Sequence, residues 1–453
     1  MNATVKLQKS WFKEGHTKSY NFRKEQLVKV KKMLTTFEKP IINALKFDLN
    51  KSEYEAYASE IAFLKSEIDH HLKQLKSWMQ PTKVKAPLTH TGSKNFIRKE
   101  PYGTVLVIAP WNYPIQLALA PVIGAVAAGN TVIIKPSELT PTVSWVLKKM
   151  IEQYFPAHYI AVVEGDKNVT QELIDQPLDY IFFTGSVPVG KVIMEKASKR
   201  LIPITLELGG KSPAIIHKDT SIDLAAKRIV WGKFTNAGQT CIAPDYLYVH
   251  HEVKADLIQA LKKYIREFYG DRPLENPEYT KIVNHSHFNR LTSYLESGTV
   301  VSGGTTDDQV HKIEPTILDQ VTWSDAVMQD EIFGPVLPVL TYADLDEVIT
   351  QINERPKPLA LYYFGEKDED QQLIMDSISF GGGCINDTLY HIINPHLPFG
   401  GVGESGMGSY HGRASFDTFT HEKSITKQTT KFDQSFRYPG SPFRLAVMKR
   451  IFG

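Results

Sequence analysis

The sequence predicts an α/β fold divided into two or three domains. Segments typical of strands and of helices alternate from Pro101 onward, and several strand segments are continuous apolar runs. Such runs are typical of buried parallel strands, which helices connect. The chain of 453 residues is too long for one ordinary hydrophobic core and suits two or three domains.

The first 80 residues are helical in pattern. Segments 22–37 and 51–78 carry apolar residues at helical spacing, with Lys and Glu between them. Residues 82–99 lack that period and alternate more, which predicts an excursion of extended chain.

Residues 102–134 contain no charged side chain, and their length alone would suggest a transmembrane helix. Proline and glycine interrupt the segment, however, at positions 110, 114, 121, 124 and 129. We therefore predict a βαβ unit instead. It consists of strand 104–109, a helix that opens at Pro114 and stops at Gly129, and strand 131–135.

Further predicted strands lie at 180–183, 203–208 and 246–250, and a helix with one apolar face lies at 221–234. The glycine-rich segments 381–383 and 400–408 mark tight backbone that a ligand can approach.

Composition excludes several classes of function. The protein is 42% hydrophobic and 23% charged with a formal net charge of +2, so no global field attracts nucleic acid. Its two cysteines, Cys241 and Cys384, exclude a disulfide framework and fit a reducing compartment. The N-terminus has no apolar core or cleavage site, so we expect a cytoplasmic protein.

Two residues stand out for chemistry. Cys241 lies between a helix expected to end near Gly238 and strand 246–250, where a loop thiol is well placed to react. A small buried hydrophobic side chain is the alternative. Glu207 interrupts an apolar strand, and burial would raise its pKa and make it a base near neutral pH. A salt bridge to Lys211 is the alternative there.

The turn at residues 185–190 follows a predicted strand and precedes a helix, so its N–H groups could hold a phosphate. It lacks the middle glycine of a dinucleotide fingerprint, and a plain strand-to-helix turn would look the same. No metal site is expected, because neither His285 and His287 nor His70 and His71 have partners at ligand spacing in the sequence.

Seven motifs, in this order, resemble those of the aldehyde dehydrogenase superfamily. They lie at 110–114 (PWNYP), 135–138 (KPSE), 183–186 (FTGS), 206–213 (LELGGKSP), 238–241 (GQTC), 331–335 (EIFGP) and 398–403 (PFGGVG). The short N-terminus, Glu138 after Lys-Pro-Ser, and the ending GMGSYHG at 406–412 are most similar to the class 3 (family 3) branch. His411 lies in that ending and receives no firm role.

The resemblance implies a three-part subunit. A Rossmann-like NAD(P)-binding domain would comprise residues 1–79 and 100–208, and an α/β catalytic domain residues 209–393. A small bridging or oligomerisation element would combine residues 80–99 and 394–453. Class 3 members are typically dimers, so a homodimer is expected.

The resemblance also implies a mechanism for oxidising an aldehyde, either medium- or long-chain aliphatic or aromatic, to the carboxylic acid. Cys241 would attack the aldehyde, and the Asn112 amide and the Cys241 backbone N–H would meet the oxyanion. Hydride transfer from the thiohemiacetal to the cofactor would leave a thioester, which water activated by Glu207 would hydrolyse.

Cofactor contacts carry over by position. Lys135 and Glu138 would approach the adenosine ribose, Glu331 would bond the nicotinamide ribose beside Phe333, and Glu331 could instead help as a base. The pyrophosphate would lie near a run of six residues: Gly185, Ser186, Val187, Pro188, Val189 and Gly190. Because Glu138 would repel a 2′-phosphate, NAD is the expected cofactor, with NADP tolerated.

Alternatives remain open. An acylating relative would pass the acyl group to coenzyme A, and a non-catalytic protein could use the same scaffold. The tail after residue 429 mixes basic and aromatic residues, so weak contact with a membrane surface is possible. Packing against the subunit or its dimer mate is the favoured interpretation of the tail.

Overall fold

The computed structural model describes residues 2–452, and its first 80 residues are helical, as predicted. The apolar pattern located two helical segments, whereas the structure adds α1 and α3 and divides the second segment. A π-helical turn, Tyr57–Ala62, joins α4 to α5. The helices are α1 Asn2–Lys13, α2 Tyr20–Thr36, α3 Glu38–Leu49, α4 Glu53–Ala56 and α5 Phe63–Trp78.

A six-stranded sheet follows the predicted extended excursion, which forms β1 Thr82–Val84 and β2 Lys94–Pro101. Five of its strands are parallel, in the order β7-β6-β3-β4-β5, with helices on both faces. The elements are β3 Thr104–Ile108, α6 Gln116–Ala128, β4 Thr131–Lys135, α7 Pro141–Tyr154, β5 Ile160–Val162, α8 Lys167–Ile174, β6 Tyr180–Thr184, α9 Val187–Ser198 and β7 Ile204–Glu207.

A seven-stranded sheet is built from the next part of the chain. Its order is β10-β13-β14-β9-β8-β15-β16, with only β10 antiparallel, and the hairpin β11–β12 lies outside it. The elements are β8 Pro213–Ile216, α10 Ile222–Phe234, β9 Tyr246–His250, α11 Lys254–Tyr269, α12 His285–Ser293, β10 Thr299–Ser302, β11 Thr306–Asp307, β12 Lys312–Ile313, β13 Thr316–Asp319, β14 Val336–Tyr342, α13 Leu345–Asn353, β15 Ala360–Phe364, α14 Asp368–Ser377 and β16 Gly382–Ile385.

The C-terminal segment returns to earlier parts of the chain. It forms β17 Gly406–Met407, α15 Gly412–Thr418, β18 Thr420–Lys427 and α16 Arg444–Phe452. Strand β17 pairs with β7 at the edge of the six-stranded sheet, and β18 pairs along the whole of β2. The excursion and the C-terminal segment therefore share one three-stranded antiparallel sheet, β1-β2-β18.

The predicted βαβ unit is present, but its helix differs in detail. Strand β4 has the predicted bounds, whereas α6 begins at Gln116 instead of Pro114 and contains Pro121. Every residue of α6 is buried. Burial on all sides stabilises the helix despite the backbone hydrogen bond that Pro121 cannot donate, so this proline does not end it. Across residues 2–452, no helix combines the length and apolar character needed to cross a bilayer.

Candidate active site

Cys241 lies on a loop that starts with unusual backbone. Helix α10 ends at Phe234, earlier than the predicted Gly238, and a 3-10 turn follows in which Asn236 and Ala237 have φ of 54° and 51°. Left-handed backbone costs roughly 1–2 kcal/mol for a residue with a Cβ, and such strain concentrates at functional sites. This turn directs the chain to the partly exposed Cys241.

Glu207 ends β7 and is only 3% exposed. Among the described residues, neither of its carboxylate oxygens has a hydrogen-bond partner. Burial therefore raises the pKa of Glu207 well above its ordinary value. Lys211, the partner considered from sequence, instead pairs with Asp245 at 2.5 Å. The Glu207 carboxyl group is thus free to bind a water or a ligand.

Asn112, after β3, is buried against the nucleophile loop. Its side-chain Nδ2 donates to the backbone oxygen of Gln239 at 3.0 Å, two residues before Cys241. The neighbouring hydroxyl groups of Tyr113 and Thr240 share a hydrogen bond of 2.7 Å. The segment after β3, in the six-stranded sheet, therefore holds Asn112 against the loop that follows α10 and carries Cys241.

Glu331 lies against the glycines that follow Glu207. A Cβ at Gly209 would collide with its carboxylate, and the Gly210 N–H lowers the pKa of that carboxyl group. Burial, with a contribution from Asp245, raises the pKa of Glu331 to about 8. Burial also raises the pKa of the Cys241 thiol, and the Glu331 and Glu207 carboxylates raise it further.

The residues expected to hold the adenosine part of a dinucleotide lie at the carboxyl ends of parallel strands. Lys135 ends β4 and pairs with Glu138 at 2.8 Å. The turn 185–190 leads from β6 into α9, where Ser186 occupies the N-cap position without a side-chain capping bond in the described chain. The first N–H groups of α9 can therefore receive a phosphate, so this chain fits a dinucleotide. Phe333 lies 5.4 Å from the Trp111 ring, beside the loop of Asn112.

Two features were missed by the sequence analysis. Lys233 is 1% exposed, and burial lowers its pKa to about 8, opposed mainly by the Asp245 carboxylate. Lys233 lies on the apolar face of α10. A lysine on an otherwise apolar helix face could have indicated a buried charge. The hairpin β11–β12 also brings Asp308 and His311 within ligand distance of His285, all donor atoms lying within 4.8 Å of one another. These three residues come together only in the folded chain, so their spacing in the sequence does not match a metal-binding motif.

Two buried residues lie beside this site. His411 is 2% exposed, and among residues 2–452 neither ring nitrogen has a partner. Burial lowers its pKa to about 3, and its ring packs 5.1 Å from that of Phe63. Burial raises the pKa of the neighbouring Tyr410 hydroxyl group, and the Glu207 and Cys241 charges raise it further.

Known proteins resemble this chain along its length. The model of the "Aldehyde dehydrogenase family" matches residues 1–425. The 4,4'-diaponeurosporen-aldehyde dehydrogenase of Staphylococcus aureus is 52% identical, covering 98% of this chain and 97% of the relative. The dimeric NADP-preferring aldehyde dehydrogenase of Rattus norvegicus is 42% identical and covers 98% of each.

A solved structure described as the substrate-bound state of Staphylococcus aureus AldH superposes with a TM-score of 0.97. It is 51% identical and covers 100% of this chain and 99% of that chain. The predicted α/β, Rossmann-like fold is therefore confirmed. The chain belongs to the aldehyde dehydrogenase family, with family 3 members among its relatives, and is an NAD(P)-dependent enzyme that oxidises an aldehyde to the carboxylic acid.

Proposed function

We propose that Cys241, Glu207 and Asn112 are the catalytic residues of this oxidation. The observation that carries the proposal is a buried carboxyl group that has no hydrogen-bond partner among the described residues and whose charge acts on a thiol that follows a strained turn. Cys241 attacks the aldehyde carbon as the thiolate. Asn112 Nδ2 gives one N–H to Gln239, and its second N–H, with the Cys241 backbone N–H, meets the oxyanion.

Glu207 then serves the second half of the reaction. After hydride departs, the acyl group remains on Cys241 as a thioester. Glu207 takes a proton from water, which attacks the thioester and releases the acid and the thiol. Its raised pKa suits a group that must accept a proton near neutral pH. Glu331 receives the nicotinamide ribose in this proposal, and its carboxylate could alternatively act as the base.

Bound NAD(P) supplies the hydride acceptor. We assign the adenosine ribose to Lys135 and Glu138, the pyrophosphate to residues 185–190, and the nicotinamide side to Glu331 and Phe333. A carboxylate at Glu138 disfavours a 2′-phosphate, so NAD is the preferred cofactor and NADP is tolerated. The rat relative is named NADP-preferring, which makes this preference a property to be measured.

We propose an apolar aldehyde, long-chain aliphatic or aromatic, as the substrate. An apolar pocket of about 240 Å³ is lined by Phe63, Ile392 and Ile393, among others. Phe63 packs on His411, whose neighbour Tyr410 lies close to the catalytic groups. We propose that this pocket admits the apolar part of the substrate. The Staphylococcus aureus relative is named for 4,4'-diaponeurosporen-aldehyde.

The remaining assignments concern organisation. We propose the domain division expected from sequence, residues 1–79 with 100–208, 209–393, and 80–99 with 394–453. Each part contains most of one of the three larger sheets, although strand β17 of the third part joins the sheet of the first, which supports this division. We propose a homodimer, as the name of the rat relative states for that protein. Two unpaired cysteines fit the reducing cytoplasm.

NADH formation by the wild type and by Cys241→Ala tests the reaction assignment, with a panel of aliphatic and aromatic aldehydes. We expect turnover that rises with apolar chain length in the wild type and none in the variant. Turnover that survives in the variant would remove Cys241 from the mechanism. A thioester product formed on adding coenzyme A would favour the acylating alternative over hydrolysis by Glu207.

A further inference from the structure

A fully buried ion pair lies next to the active site, in the N-terminal helical region. Lys51 follows α3, Glu60 lies in the π-helical turn, and their side chains meet at 2.7 Å with 0% exposure on both sides. Removing two charges from water costs several kcal/mol per ion unless other bonds satisfy them. The partners of this pair therefore indicate what it holds in place.

In the described chain, the other side-chain hydrogen bonds of the pair fall on one short segment, while the buried Glu55 carboxylate lies near both charges. Lys51 Nζ donates to the backbone oxygen of Asn112 at 2.8 Å and lies 3.9 Å above the Tyr113 ring. The second oxygen of Glu60 accepts the backbone N–H groups of Ile115 and Gln116, at 2.8 and 3.1 Å. The pair thus holds the segment between β3 and α6 at its middle and at the start of α6.

This segment faces the nucleophile loop. The same Asn112 oxygen that accepts from Lys51 also accepts from the Asn236 side chain at 3.1 Å. Asn236 is one of the two left-handed residues before Cys241. The backbone of Asn112 is therefore fixed from two sides, while its side-chain amide contacts the carbonyl group of Gln239.

We propose that Lys51 and Glu60 are positioning residues that hold the Asn112 amide at the place where the oxyanion forms. The inference rests on the proposed roles of Asn112 and Cys241. Misplacing a catalytic donor by about 1 Å can cost about 100-fold in rate. Short π-helical insertions occur frequently at functional sites, and here the turn carries Glu60.

A purely structural ion pair would behave differently from a positioning pair. Replacing a buried pair by neutral residues is often without cost to stability, whereas removing one partner leaves an unpaired charge. Stability and activity can therefore be separated. Lys51→Met removes the donor to Asn112, and Glu60→Gln keeps an amide oxygen for the helix N–H groups.

The test compares Lys51→Met, Glu60→Gln and the double variant with Asn112→Ala and Lys51→Met/Asn112→Ala. We expect Lys51→Met to lower both Tm and kcat, the latter by about 10- to 100-fold, with KM for NAD within about twofold of the wild type. The Lys51→Met/Glu60→Gln double variant recovers Tm but not kcat. In the Asn112→Ala background, Lys51→Met costs no further kcat, because it acts through Asn112.

Arg23→Met is the matched control. Arg23 is a buried cation that bonds the backbone oxygens of Thr17 and Ala127, so its loss should lower Tm and leave kcat unchanged. If Lys51→Met lowered kcat equally with and without Asn112, or if the double variant regained kcat with Tm, the positioning role would be overturned. An Asn112→Ala enzyme with wild-type kcat would instead refute the proposed function. If Lys51→Met does not fold, the kcat of the Lys51→Met/Glu60→Gln double variant tests the positioning role.

Discussion

At the scale of single residues, the surroundings of Cys241 oppose its ionisation. Burial and two neighbouring carboxylates raise the pKa of the thiol, so the thiolate is a minor species in the free enzyme near neutral pH. Its fraction then increases about tenfold per pH unit below the pKa. We therefore expect reactions in which the Cys241 thiolate attacks to become faster as the pH rises.

Alkylation of Cys241 by iodoacetamide measures this directly, in a Cys384→Ala background that removes the other thiol. We expect the rate to increase from neutral to alkaline pH without reaching a plateau near pH 8. Glu331→Gln removes a negative charge and should raise the rate at pH 9 by about three- to tenfold. A rate independent of pH, or unchanged in Glu331→Gln, would contradict the electrostatic account.

Glu138 is the residue to which we assign the cofactor preference. It is half-exposed and paired with the buried Lys135, so its charge lies at the proposed ribose position. Glu138→Gln should raise the ratio of NADP to NAD efficiency by about tenfold, because a like charge near the 2′-phosphate is removed. Steady-state kinetics with both cofactors measure the ratio.

Glu152→Gln is the control for that measurement, since Glu152 is a surface carboxylate on α7 paired with Lys149. The ratio of NADP to NAD efficiency of Glu152→Gln should match that of the wild type. An unchanged ratio in Glu138→Gln would remove this residue from cofactor selection.

At the scale of elements, α5 and α15 are joined by a buried carboxyl group. Glu67 of α5 is 4% exposed and accepts the Gly412 N–H at the start of α15 at 2.7 Å. Burial raises its pKa to about 7. A folded pKa above the unfolded value means that its stabilising contribution is complete below about pH 4.5 and is lost as pH rises through about 7.

Denaturant unfolding of the wild type and Glu67→Gln at several pH values tests this coupling. Between about pH 4.5 and 8, the free energy of unfolding of the wild type should fall by about 3 kcal/mol relative to that of the variant. This is the free energy that corresponds to raising the pKa of Glu67 from 4.5 to about 7. Burial lowers the pKa of the neighbouring His71 to about 4. Both proteins contain His71, so the comparison isolates the titration of Glu67. A difference between the two proteins that stays constant with pH would contradict the prediction.

At the scale of the whole molecule, the C-terminal tail is the least integrated part of the chain. None of the residues of α16 is buried, and Phe443, Leu445 and Phe452 are at least 65% exposed. A cavity of about 810 Å³ is lined by residues of this helix together with Thr89, His90 and Thr426. The tail therefore exposes apolar and basic side chains, and a dimer mate or a membrane surface are the two partners that a deletion can test.

Deletion of residues 441–453 should leave Tm within about 2 °C of the wild type, because no core side chain is removed. We expect light scattering to show dimers of the full chain. Co-sedimentation of the full chain, but not of the shortened protein, with anionic liposomes would support membrane contact over the favoured packing of the tail against the subunit or its dimer mate. Liposome binding that is the same with and without the tail would exclude tail-mediated membrane contact.

The sequence by itself determined the parts of this protein that depend on local pattern. Parallel strands buried on both faces must be apolar throughout, so β3, β4, β6 and β9 were located to within a residue. A carboxylate in such a strand is conspicuous, which is why Glu207 could be singled out. The order of seven motifs then identified the family.

Only the tertiary structure decided which distant groups meet. Lys51 and Asn112 are 61 residues apart, and Lys233, Asp308 and His311 are placed by packing that no periodicity records. The left-handed turn at Asn236 and Ala237 is likewise imposed, because neither residue type demands that backbone. Local patterns report which face of an element is buried, but the identity of the groups buried against it depends on contacts that form only when the whole chain has folded.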